Sequence, residues 1–112
     1  MTAATYNLTM DQGSDFAITF TISEDGSAKD LSLWSARAQM RPTKTSTTLS
    51  ASFSCSIADA ANGVILMEMG NGTTKNLTAG IYYYDLEIYT SGDASVSRLL
   101  EGQVTVTQEV TR

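Results

Sequence analysis

Apolar and polar residues alternate along most of this chain with a period of two. The longest run is Gly80-Ile-Tyr-Tyr-Tyr-Asp-Leu-Glu-Ile-Tyr, then a Thr-Ser-Gly-Asp reversal, then Val96-Ser-Arg-Leu-Leu-Glu-Gly-Gln-Val-Thr-Val-Thr. Side chains alternate across an extended strand. Tyr82, Tyr84, Leu86 and Ile88 therefore share one face, with Asp85, Glu87 and Tyr89 on the other. Ser91-Gly92-Asp93 supplies the flexible backbone of a hairpin turn. On the returning strand Val104 and Val106 fall together, with Gln103 and Thr105 opposite. One hairpin is marginal in water, so the rest of the chain must provide strands to cover its apolar face.

It does so repeatedly. Tyr6 to Met10 is a short extended piece closed by Asp11-Gln12-Gly13, and Asp15 to Ser23 alternates with Phe16, Ile18, Phe20 and Ile22 on one side. Four large apolar groups on one face predict a half-buried strand. After the Glu24-Asp25-Gly26-Ser27 turn, Trp34 to Arg41 places Trp34, Ala36, Ala38 and Met40 inward. Its Ala, Gln, Met and Arg content also suits a helix, but the period of two and the following Pro42 favour a strand. Pro42 to Ser50 is polar, low in complexity and expected as an exposed loop. Alternation resumes through Phe53, Cys55 and Ile57, reverses at Asp59 to Gly63, and returns with Ile65, Met67 and Met69 inward and Glu68 outward. Asn76-Leu77-Thr78-Ala79-Gly80 reads as a single helical turn plugging one end. The sum is a single all-β domain over residues 1–112. The expected architecture is an immunoglobulin-like β-sandwich of about seven antiparallel strands, with a flattened barrel as the alternative.

Composition narrows the class. With 112 residues, 42% hydrophobic and 17% charged, the chain is an ordinary globular domain with room for one core. No apolar run approaches the roughly 18 residues of a membrane-spanning helix, and Met1 to Tyr6 lacks the basic flank and apolar stretch of a signal peptide. No membrane partner is therefore expected, and assembly in a cytoplasm is. The net charge is −5, and the seven Lys and Arg residues are scattered rather than clustered. Nucleic acid needs a clustered positive field, so it is not an expected partner. The Asn-x-Thr sequons at Asn7, Asn71 and Asn76 are read as chance in a Thr-rich chain.

The chemical inventory is thin. With no histidine there is no imidazole base, and one cysteine, Cys55, allows no internal disulfide and reads as a small buried thiol. No Cys/His cluster suits zinc and no Gly-rich phosphate loop opens a helix. No catalytic residue, metal site or cofactor is expected. Asp85 and Glu87 share a strand face like a glycosidase carboxylate pair, but the solvated face of a sheet accounts for them better. The tyrosines are the most suggestive residues. Tyr82, Tyr83, Tyr84 and Tyr89 cannot all face the core, so Tyr83 and Tyr89 are expected on the outer face, with Leu99 beside them. Such groups serve as an interface anchor or a sugar-stacking platform. Cross-strand pairing within the sheet accounts for them equally well.

Leu77-Thr-Ala-Gly-Ile-Tyr-Tyr-Tyr-Asp-Leu-Glu and Arg98-Leu-Leu-Glu-Gly-Gln-Val-Thr-Val-Thr-Gln-Glu-Val-Thr-Arg112, with the opening Tyr6-Asn-Leu-Thr-Met-Asp-Gln-Gly, resemble a family of small tailed-phage virion proteins. That family is similar to the N-terminal domain of phage baseplate upper proteins, an immunoglobulin-like sandwich that anchors receptor-binding machinery. The resemblance implies a non-enzymatic structural protein of the virion, most naturally at the tail or baseplate. It further implies several copies in a symmetric assembly, packed against other virion proteins. A carbohydrate- or receptor-binding module, or a capsid decoration protein, is the alternative.

Overall fold

The computed structural model describes residues 3–111. Strands β1 (Ala4–Thr5), β2 (Leu8–Asp11), β3 (Phe16–Thr21), β4 (Ser23–Glu24), β5 (Ser27–Ala28), β6 (Ser35–Arg41), β7 (Ala51–Asp59) and β8 (Val64–Met69) precede a four-residue helix, α1 (Asn71–Thr74). Strands β9 (Gly80–Tyr89) and β10 (Val96–Thr107) follow, joined by a short helical turn at Ser91–Asp93. The expected all-β architecture is present. Hydrogen bonding links the strands in the order β1-β10-β9-β6-β7-β8-β3, with β2 also on β10. The β4–β5 hairpin pairs only with itself.

One strand makes this sheet curl. The first part of β7 pairs with β6, Phe53 opposite Ala38 and Ala51 opposite Met40, while its remainder pairs with β8. A strand shared in this way carries the sheet from one side of the core to the other. The two ends of the sheet then approach each other, and the ring of Tyr6 meets Phe20 edge-on at 5.3 Å.

The pairing is mixed rather than purely antiparallel. Strands β1 and β2 run parallel to β10 in one register, Ala4 opposite Leu100 and Leu8 opposite Val104. Between them, Tyr6 N–H donates to the Glu101 carbonyl at 2.9 Å and Asn7 Oδ1 accepts the Gln103 amide at 3.0 Å. Alternation in sequence predicts that a segment is extended, but not which neighbour it takes or in which direction. Gly102 permits this crossing, because a Cβ there would run into the Tyr6 carbonyl oxygen. The Tyr84 hydroxyl ties the same carbonyl down, donating at 2.6 Å.

The core follows the predicted faces in the centre of the sheet. Tyr84, Leu86, Ile88, Val104, Val106, Ala38, Met40, Ile65, Met67 and Met69 are buried, joined by Leu8, Met10 and Leu31. Elsewhere there are departures. Phe16, Ile18 and Phe20 are only half-buried, because β3 ends the sheet and has a neighbour on one side alone. Trp34 precedes β6 and is half-buried under Lys29, whose Nζ lies 5.1 Å from the ring centroid. The helical turn sits at Asn71–Thr74, upstream of the expected Asn76 to Gly80, although Leu77 is buried as an anchor. Its position is set by distant groups. Asp15 Oδ1 accepts the Asn71 backbone and side-chain amides at 2.8 and 2.9 Å, and the buried Thr74 hydroxyl donates to the Ser14 carbonyl.

Leu99 is buried, not outward-facing. Register along β10 shifts between Arg98, opposite Glu87, and Leu100, opposite Leu86. A bulge of this kind sets two residues against one and resets the alternation. Strict counting back from Val104 puts Leu99 outside. The bulge lets both Leu99 and Leu100 enter the core.

Candidate functional site

The outer face of β6, β9 and β10 is a grid set by register. Three rows cross the strands: Arg37–Glu87–Arg98, Gln39–Asp85–Glu101 and Arg41–Tyr83–Gln103. Each residue points outward because its neighbours Ala38, Met40, Tyr84 and Leu86 are drawn into the core. Together with Thr43 and Lys44 from the loop after β6, the grid apart from Gln103 lines a cleft of about 470 Å³. Four of the seven Lys and Arg residues of the chain lie here, interleaved with three carboxylates.

The charges are paired across strands. Arg37 Nε donates to Glu87 at 2.9 Å and its Nη1 reaches Asp93 at 3.4 Å, while the guanidinium lies 4.4 Å from the Tyr89 ring centroid. The Glu87 carboxylate holds the Arg37 guanidinium above its ordinary range. Arg98 Nε lies 3.5 Å from Asp85, and Lys44 Nζ lies 3.4 Å from Glu101. Arg41 instead donates to the Thr47 carbonyl and to Gln39 Oε1, pinning the loop to the strand. Burial chiefly, and then Glu87, push the Asp85 carboxyl up, with Arg98 pulling against them. Each ion pair here is partly solvated, so each contributes little by itself.

Of the residues singled out in the sequence, Tyr83 and Tyr89 stand on this face, both half-buried. Tyr83 lines the cleft, whereas Tyr89 lies beside it, under Arg37. Leu99 belongs to the core and is not part of the site. Asp85 and Glu87 are brought together with Arg37, Arg41, Lys44 and Arg98, cations that are scattered in sequence and that only the strand register assembles. The alternation of β6 was the one available signal, since it set Arg37, Gln39 and Arg41 outward together.

Other candidates resolve into structure. Cys55 is half-buried, and burial pushes its thiol up to about 11, which keeps it protonated and unreactive at neutral pH. The Asn7, Asn71 and Asn76 side chains are engaged with Gln103, Asp15 and the Gly72 carbonyl respectively. Among the described residues no group of three or more His, Cys, Asp or Glu is arranged to hold a metal, and no helix is long and apolar enough to cross a membrane.

No protein-family model matches the chain, and no curated protein does. Among solved structures, the fold is similar to the N-terminal domain of phage TP901-1 ORF48. The TM-score is 0.62 at 12% identity, over 96% of this chain and all of that domain. At that identity the likeness concerns the fold alone. A family 123 glycoside hydrolase from Clostridium perfringens also aligns, over 97% of this chain but 24% of the enzyme. Its TM-score of 0.44, at 13% identity, is too loose to bear on fold or function.

Proposed function

We propose that this chain is a non-enzymatic structural component of a tailed-phage particle. In this reading it is present in several copies at the tail or baseplate and packed there against larger tail proteins. The observation that carries the reading is the likeness of its fold to a domain from a phage protein, over 96% of this chain and all of that domain. The Arg98 to Arg112 pattern described above supports the same setting, and an immunoglobulin-like description of the curled sheet belongs to the same proposal.

The docking surface in this reading is the outer face of β9 with its flanking strands. Its charged side chains are paired across the strands, and a polar face whose groups are already paired loses less freedom on docking than free side chains do. Tyr83 supplies the large amphipathic group that interface centres favour. The carboxylates support a scaffold rather than a hydrolase, because Asp85 and Glu87 each face a guanidinium across the strand. Cations alternating with carboxylates also make a poor phosphate track, which supports a protein partner rather than nucleic acid.

The test is incorporation. Tyr83→Ala should weaken binding to the tail proteins of the same particle by ~1–4 kcal/mol and deplete the protein from purified particles. Circular dichroism of the free domain should be unchanged. Particles that incorporate the variant normally, together with loss of binding to a host-surface glycan, would replace the scaffold reading with a carbohydrate-binding one.

A further inference from the structure

We propose that β3 pairs edge-to-edge with β3 of a second copy of this chain, antiparallel, about a two-fold axis at Thr19. Strand β3 ends the sheet. Its register on β8 runs without a break from Phe16 opposite Met69 to Thr21 opposite Val64, and the Ile22 amide continues it by donating to the Gly63 carbonyl at 2.8 Å. Peptide groups of an antiparallel strand point alternately to one neighbour and the other. The bond from Ile22 fixes the parity. Residues Phe16, Ile18 and Phe20 turn their N–H and C=O toward β8, and Ala17, Thr19 and Thr21 turn theirs to the open edge. Among the described residues these three have no hydrogen-bond partner, and all three are exposed.

Free proteins protect such edges with charge, proline, bulges or very short strands. At the opposite end of the sheet the strands along β10 are shorter, β1 of two residues and β2 of four with the charged Asp11 among them. Strand β3 has six residues, Phe-Ala-Ile-Thr-Phe-Thr, with no charge and no proline. It is also self-complementary. Placing Thr19 opposite Thr19 of the second copy sets Ala17 opposite Thr21 and Thr21 opposite Ala17, and each such pair exchanges two backbone hydrogen bonds. The same register sets Ile18 against Phe20 and Phe16 against Ile22, so the half-buried apolar row of one copy gains cover from the other. Asp15 falls opposite Ser23, so no two carboxylates face each other across the axis. A closed two-fold contact of this kind uses the same patch on both subunits. It leaves the β6–β9–β10 face free for a different partner.

Sedimentation equilibrium of the full chain tests the pairing. The expected result is a reversible dimer whose dissociation constant rises at least about tenfold in Thr19→Pro and in Thr19→Lys. Proline removes the amide at the axis and is tolerated where a strand amide faces solvent. Lysine keeps the amide but opposes two like charges. In a Cys55→Ser background, Thr19→Cys should cross-link on oxidation while Ala17→Cys, which faces Thr21 rather than itself, should not. A wild-type chain that stays monomeric up to about 1 mM overturns the proposal, even if a strand from a different protein then occupies the edge. So does a dimer indifferent to both Thr19 variants.

Discussion

The two halves of the curled sheet enclose one core but meet solvent differently. The outer face of β6, β9 and β10 is laced with charge, Arg37 to Glu87, Arg98 to Asp85 and Lys44 to Glu101. The outer positions of β3 and β8 carry Ala17, Thr19, Thr21, Val64 and Leu66, with Glu68 the one charge. Burial differs in step. Leu86, Ile88 and Val104 are fully covered because β9 and β10 each have strands on both sides, whereas Phe16, Ile18 and Phe20 keep part of their surface in water. Where a strand has two neighbours, the fold is complete within one chain. Where it has one, both the backbone edge and the apolar row are left for something outside.

Truncation at matched positions should expose that difference most strongly. Leu86→Ala should cost ~2–5 kcal/mol, because it opens a cavity among residues that cannot collapse onto it. Phe20→Ala removes a larger side chain but should cost less, since solvent already reaches the site and can fill it. Urea denaturation at low protein concentration, where a second copy does not contribute, provides the comparison. Equal losses at the two positions would mean that β3 is as deeply integrated as β9.

An alkaline titration isolates the closed half. Burial, with a contribution from Tyr6, pushes the Tyr84 hydroxyl from its ordinary 10.0 up to about 12. Between those values the folded chain keeps a proton that the unfolded chain has lost. Stability is therefore intact below pH ~10 and falls as the pH climbs through about 12. Tyr84→Phe gives up the bond to the Tyr6 carbonyl, worth ~0.5–1.5 kcal/mol at neutral pH, and should flatten this alkaline limb. A variant whose stability falls as steeply as the parent between pH 10 and 12 would place the titrating group elsewhere.

Legibility in the sequence divides along the same line. The faces of Tyr84, Leu86 and Ile88, of Val104 and Val106, and of Ile65, Met67 and Met69 could be read from alternation, because a continuous strand converts sequence parity into burial without further information. What could not be read depended on partners distant in sequence. The parallel seat of the N-terminal strands on β10 is one case. The Asp15 bonds that place the helical turn at Asn71 are another, and Leu99 is a third, because a bulge breaks parity without a local signature. The candidate site was half legible. Tyr83, Asp85 and Glu87 were assigned to the outer face from one strand, but the cations that pair with the two carboxylates, Arg98 and Arg37, come from two other strands and are joined only by register.

The smallest effect belongs to the charged grid. The raised Asp85 carboxyl means that its ionised form is disfavoured by the fold, chiefly through burial. Such a group withdraws stability as the pH rises above the ordinary carboxylate range, because the folded chain then holds its proton more tightly than the unfolded chain does. Asp85→Asn removes that penalty and also removes the attraction to Arg98, so the two changes oppose each other. Glu87→Gln weakens a solvated pair with Arg37. Each substitution should shift stability at neutral pH by well under ~1 kcal/mol, and Asp85→Asn should leave a flatter profile above the ordinary carboxylate range than the parent has. Urea midpoints from that range up to neutral pH measure both. A loss of several kcal/mol in the double variant would make the grid a determinant of strand register. A hydrolytic activity present in the parent and abolished in a folded double variant would make it a catalytic face, and the scaffold reading would fall.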